Sequence, residues 1–220
     1  MRGPSDYMVD AHVERTEVSA VLRNTYGLLA LTLAFSALVA FFTQQAGIPR
    51  LGFIGTLIGF YGLFFLTAKL QNSGWGLLAA FALTGFMGFT IGPLVGYYLK
   101  VSPDVVLSAF TMTAVAFAGL SAFVLIIRKD MSFLSGFLVV GFFVLLAAVI
   151  GNYFFFQLPA MQIAISAGFV LFSSAAILFE TSNIIHGGER NYIMATVSLF
   201  VSIYNMFVSL LSIFGFLNND

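Results

Sequence analysis

The sequence predicts an all-α integral membrane protein with seven transmembrane helices. Two observations carry that expectation. Of its 220 residues, 60% are hydrophobic and only 8% are charged, whereas soluble domains run near about 25% charged. The few charges also fall at intervals, cutting the chain into apolar stretches of the length a bilayer demands, about 20 residues each. A surface so poor in charge cannot face water, so lipid is its solvent.

The spans are predicted at 24–43, 51–68, 75–99, 105–127, 132–154, 161–185 and 192–216. Residues 1–23 precede them as a tail, and residues 217–220 follow. The tail carries Asp6, Asp10, Glu14, Arg15, Glu17 and Arg23, and a full-length apolar run comes after it, which argues against a cleaved signal peptide. In the third span Trp75 marks an interface. The fourth is opened by Ser102-Pro103-Asp104: a cap, a first-turn proline and an acid facing the positive end of the helix dipole. Arg128 and Lys129 suit the negative end of that helix, and Asp130 suits the positive start of the fifth. The charge-free stretch from Met131 to Phe179 is too long for one helix; Gln157-Leu158-Pro159 divides it, with proline at the first position of the sixth.

Orientation follows from the basic residues. Arg2, Arg15, Arg23, Lys69, Arg128, Lys129 and Arg190 fall on one side of this topology, and only Arg50 and Lys100 on the other. The excess places the N-terminus in the cytoplasm and, after an odd number of spans, Asp220 outside. Acidic and basic residues balance, nine against nine, which argues against nucleic acid as a partner. There are no cysteines and only two histidines, His12 and His186. A metal site is therefore not expected.

Two small-residue patterns stand out. Gly88, Gly92 and Gly96 recur every four residues on the third span, with Gly85 just before them, and Gly55 and Gly59 share that spacing on the second. Small residues so spaced let helix backbones approach closely. Packing alone explains them; Pro93 after Gly92 adds a second reading, a hinge, because it removes the bond to the Phe89 carbonyl. On the seventh span Ser198, Ser202, Asn205, Ser209 and Ser212 form one stripe. It either bonds neighbouring helices or lines a polar path.

Glu180 is the one ionisable residue well inside a span. An acid there is a functional candidate. Burial and the negative end of its own helix both disfavour its charge. Thr181, Asn183, Thr196, Ser198 and Ser202 are candidate partners, and Lys69 the candidate cation. A static hydrogen-bonded acid and a proton or cation switch both fit. No helical HExxH, GxSxG, P-loop or paired intramembrane acids are found, so the chain is read as a non-enzyme without a cofactor.

Several segments resemble a known family. They are Phe179-Glu180-Thr181-Ser182-Asn183-Ile184-Ile185-His186-Gly187-Gly188-Glu189, the stretch from Ala195 to Phe216, Arg128-Lys129-Asp130-Met131-Ser132-Phe133-Leu134 and Arg23-Asn24-Thr25-Tyr26. Together they resemble the Bax inhibitor-1 family, in its bacterial YccA branch. That resemblance implies six helices around a central seventh, in the bacterial inner membrane. It implies an interaction protein that binds and modulates the membrane-anchored FtsH protease, with the N-terminal tail, including Arg15, Glu17 and Arg23, as handle. Other branches of the family behave as pH-sensitive calcium leaks gated by a proton-sharing pair of acids. Glu180 matches one of the pair, but the other falls at Ser202, beside Asn205. A serine cannot share a proton with Glu180 as a second carboxyl would. A cation or calcium leak with Glu180 as a single protonation sensor is the alternative reading.

Overall fold

A computed structural model describes the backbone of residues 4–218 and the side chains of residues 16–218. Seven helices account for nearly all of it: α1 (Pro4–Gln45), α2 (Phe53–Leu70), α3 (Trp75–Val101), α4 (Pro103–Ile127), α5 (Leu134–Gly151), α6 (Pro159–Ile185) and α7 (Tyr192–Leu217). A wide π-helical turn, Asn152–Phe156, extends α5. All seven are long and apolar enough to cross a membrane. From α2 to α7 the ends fall within three residues of those expected.

The first helix differs from expectation. It starts at Pro4 rather than 24, so the segment expected as a tail continues the helix, of which Thr16–Gln45 is the apolar, membrane-length part. The local cause is plain: after Pro4 the chain meets no proline or glycine until Gly27, and nothing stops the helix. The Arg15 side chain, Arg2 and Asp220 lie outside the described residues.

Contacts between turns sort the helix ends into two sets. At one end Asn191 Nδ2 donates to the Gln71 carbonyl (3.0 Å) and to Asn72 Oδ1 (2.9 Å), and His186 Nε2 lies 3.1 Å from the Arg128 carbonyl. At the other, Asn218 donates to the Ser102 hydroxyl, and Phe53 stacks on Tyr153 with ring centroids 4.6 Å apart. The first set joins the turns that hold Lys69, Arg128, Lys129 and Arg190, so this is the basic end. Ser102 also departs from expectation. Pro103 and Asp104 do open α4, but the Ser102 hydroxyl makes no capping bond because Asn218 engages it instead.

The core is built on α3 and α7. α7 packs against α1, α3, α4 and α6, the position of a central helix. α2 sits chiefly on α3, and α5 on α6. Buried Leu28 and Leu29 of α1, Ala80, Leu83 and Met87 of α3, Ile184 of α6, and Val197, Leu199, Phe200 and Ile203 of α7 form one apolar cluster. α5, by contrast, has no buried residue; its Phe143 and Val144 are about as exposed as lipid contact requires, at 62% and 60%.

The glycine stripe of α3 is where α1 lies. A Cβ added at Gly88 would collide with the Ser36 backbone carbonyl, and one at Gly92 would come 2.7 Å from the Ala40 carbonyl. At Gly85 it would meet the Phe35 ring, and at Gly96 the Gln44 side chain. The α1 and α3 backbones therefore touch without side chains between them, as small residues permit. Gly59 of α2 is covered by the Phe86 ring, whereas a Cβ at Gly55 would meet only Leu51 one turn away. Pro93 sits inside α3 without ending it.

Candidate functional site

Of the residues singled out in the sequence, Glu17, Glu180 and Lys69 lie toward the basic end, where α6 gives way to α7, while the α3 glycines lie along α1 and Asn205 farther along α7. α6 ends because Gly187 takes a left-handed conformation (φ 73°), which a glycine adopts without strain. The Gly188 and Glu189 amides turn back to the Asn183 carbonyl at 2.9 and 3.2 Å. A Cβ at Gly188 would displace the end of the Asn183 side chain.

α7 then starts from Asn191. Its Oδ1 accepts from the Ile193 and Met194 amides at 2.9 and 3.2 Å, while its Nδ2 reaches the α2–α3 turn. One side chain thus caps the central helix and fastens a neighbouring turn to it. Sequence reasoning passed over it, although an asparagine directly before an apolar run is a start signal. Asn191→Ala is expected to cost about 1–2 kcal/mol, from the lost cap and the orphaned Gln71 carbonyl. Thermal unfolding in detergent measures it, with Asn191→Asp as a partner variant that keeps the cap but loses the tie.

Glu180 lies on α6 one and a half turns before this end and is partly buried. Ser198 of α7 is the polar group, and Glu189 the charged group, that bear on its carboxyl. The other expected partners are engaged elsewhere. Thr181 is buried, with its hydroxyl 3.5 Å from Tyr26 of α1. Thr196 donates to the Thr25 and Tyr192 carbonyls. Ser202 donates to the Ser198 carbonyl of its own helix at 2.9 Å. Lys69 is exposed, on a helix seated chiefly on α3. Asn205, partly buried, lies on the same stripe further along α7. Of the expected partners, Ser198 is thus the one that bears on Glu180, while Ser202 bonds within its own helix and Lys69 stands apart. Farther along, Tyr204 and Thr90 place their hydroxyls 3.0 Å apart and tie α7 to α3.

A second cluster fastens the α4–α5 turn to the end of α6. Ser182 Oγ accepts from the Met131 amide at 2.9 Å and donates to the Lys129 carbonyl at 3.4 Å. His186, one turn on, spans the Ser182 and Arg128 carbonyls. Asp130, in the same turn, accepts from the Ser132 amide at 2.8 Å. That bond, aided by the Ser132 hydroxyl and by His186, holds the exposed Asp130 carboxyl below its usual range. The serine four residues before His186, on the same helix face, was the signal available in the sequence.

Between α1 and the α6–α7 turn lies a groove of about 280 Å³, lined by Glu17, Val18, Val21, Gly187, Glu189 and Arg190 among others. Glu17 is thereby brought beside the α6–α7 turn, while Arg23 is exposed two turns further along α1. Among the described residues no group of three metal-binding side chains occurs.

Comparison with known proteins covers nearly all of this architecture. The family described as Inhibitor of apoptosis-promoting Bax1 matches residues 18–219. An uncharacterized protein of Pseudomonas aeruginosa is 65% identical over 96% of this chain and 95% of its own length. The protein of Escherichia coli K12 called Modulator of FtsH protease YccA is 54% identical over 98% of this chain and 100% of its own. An uncharacterized membrane protein of Vibrio cholerae is 41% identical over 94% of this chain and 95% of its own.

Proposed function

The chain belongs to the Bax inhibitor-1 family, in its bacterial YccA branch, and on that premise we propose that it is a multi-pass inner-membrane protein that binds and modulates the FtsH protease. Its part in membrane protein quality control is that of a regulator rather than a catalyst. The observation that carries the reading is the likeness to the E. coli modulator, 54% identical from one end of that relative to the other. The likeness runs the full length of that relative, so a shared role needs no added domain.

The basic end faces the cytoplasm in this reading, because basic residues are retained on that side. The first turns of α1 then project the N-terminal segment, with Arg15, Glu17 and Arg23, toward a membrane-anchored partner. Glu17 borders the groove against Glu189 and Arg190, so a partner that engages the N-terminal segment also meets the α6–α7 turn.

Co-purification from detergent-solubilised membranes tests the proposal. FtsH is expected with the full-length chain, and its recovery is expected to fall at least about tenfold, some 1.4 kcal/mol of binding, when residues 1–20 are deleted. Absence of FtsH from the full-length preparation would refute the modulator reading. Equal recovery with and without residues 1–20 would keep that reading and remove the N-terminal segment as its handle.

A further inference from the structure

We propose that His186 is a proton-operated latch that holds the α4–α5 turn against the end of α6, closed when the imidazole is doubly protonated and loosened when it is neutral. The observation is the pair of atoms its ring nitrogens face. Nδ1 is 2.8 Å from the Ser182 carbonyl and Nε2 is 3.1 Å from the Arg128 carbonyl. A carbonyl oxygen only accepts, so each nitrogen must donate. A neutral imidazole has one donor and one lone pair; only the imidazolium satisfies both contacts.

Ser182 makes the difference larger than one bond. With Nδ1 protonated, the Ser182 hydroxyl is free to donate to the Lys129 carbonyl while accepting from the Met131 amide. With Nδ1 bare, its lone pair confronts the Ser182 carbonyl. Among the described residues the Ser182 hydroxyl, 3.3 Å away, is the donor within its reach. If that hydroxyl turns to the ring, the Lys129 carbonyl loses it. Deprotonation thus weakens the hold of α6 on the turn both at Arg128-Lys129 and at the serine.

Charged groups face the ring from several elements. From the α4–α5 turn come Asp130, whose carboxyl feels His186 through space, and the cations Arg128 and Lys129. From the α6–α7 turn come Glu189 and Arg190, the latter donating to the Gly187 carbonyl at 3.3 Å. α1 contributes Glu17, across the groove beside Gly187. Glu180 lies further back on α6 itself. His186 is the residue that ends α6. Arg128 is held in a left-handed conformation (φ 52°) that few non-glycine residues adopt; its carbonyl is aimed at the ring by that turn. The latch joins two helices of the bundle at the basic end, so its state sets how firmly the Arg128–Ser132 segment is presented there. It stands on this geometry alone and does not depend on which partner the protein meets.

The sequence makes the test direct. There are two histidines and no cysteines. A His12→Gln background leaves His186 as the only imidazole, and Phe133→Cys, at an exposed position of the turn, gives a single nitroxide attachment point. In lipid nanodiscs, ¹⁵N-histidine resonances report the protonation of His186, and the nitroxide line shape reports the motion of the turn. The mobile fraction is expected to rise at least about fivefold, since losing one hydrogen bond's net stabilisation alone gives that much, over the pH range in which the imidazole loses its proton. His186→Gln is expected to abolish the step. Ser182→Ala is expected to leave the imidazole titrating while the turn stays mobile throughout. A mobility step that survives His186→Gln overturns the latch, as does an imidazole that titrates with no change in the turn.

Discussion

Gly88→Leu is expected to unseat α1 from α3 and to be among the most damaging single changes in the protein. The side chain would enter where the Ser36 backbone carbonyl already stands. Overpacking a flexible neighbour costs about 1–3 kcal/mol, but a backbone carbonyl cannot rotate aside as a side chain can. The α1 helix must move as a body, taking Ser36, Ala40 and Thr43 out of register with Gly92. We expect a loss at the upper end of that range or beyond it. The control is Gly62→Leu on α2, where a Cβ meets nothing within 4 Å. Both changes replace a helical glycine with leucine, and both gain roughly 0.8 kcal/mol of helix propensity. The difference between their thermal unfolding midpoints in detergent therefore isolates the α1–α3 seam. If the two variants unfold together, the glycines are incidental to packing.

The sequence made this seam half legible. Four-residue spacing identified which face of α3 was small, yet nothing in α3 said that α1 was the helix to fill it. Gly55 and Gly59 shared the spacing on α2, but a Phe86 ring covers one and nothing outside α2's own approach covers the other. Spacing reports that a close approach is possible; which helix makes it is fixed by tertiary packing. Span positions were legible because charge and length alone determine them. The start of α1 was not, since polar helix formers outside the membrane give no apolar signal, and the helix runs back to Pro4 through them.

The site divides in the same way. Glu180 was visible as an acid within a span, and Ser198 was among its expected partners. Lys69 was a matter of equal depth at the same end, and depth does not place a helix on the right side of a bundle. Ser202 was expected to stand near Glu180 where the pH-sensitive branches have an acid. In the structure its hydroxyl bonds the Ser198 carbonyl, as serines in apolar helices commonly do. Asn191, Ser182 and His186 act through backbone atoms of distant turns. The sequence signals the Asn191 cap and the shared face of Ser182 and His186, but backbone partners carry no side-chain signature, so it does not say which turns they reach.

Phe200→Ala is the second large effect, and it measures how far α7 acts as the central helix. Phe200 is 1% exposed and packs in the cluster shared by α1, α3, α6 and α7. Its ring lies 6.5 Å from that of Tyr204, whose hydroxyl ties α7 to α3. In a bilayer the apolar character of a side chain gives little drive to leave lipid, so the stabilisation here is contact between surfaces. Removing the ring leaves a cavity that lipid tails cannot reach, at a cost of about 3–5 kcal/mol. Phe200→Leu keeps most of the volume and is expected to cost under about 1.5 kcal/mol. Phe155→Ala removes the same ring from a side chain that is 79% exposed, where lipid takes its place and little stability is lost. All three can be compared by reversible unfolding in mixed micelles. A loss at Phe200 several times that at Phe155 means that the bundle is held by filled space around α7 rather than by apolar character, and a latch or partner at the basic end then acts on a rigid body. Equal losses would mean that α7 is no more enclosed than the lipid-facing helices, and its central place would have to be given up.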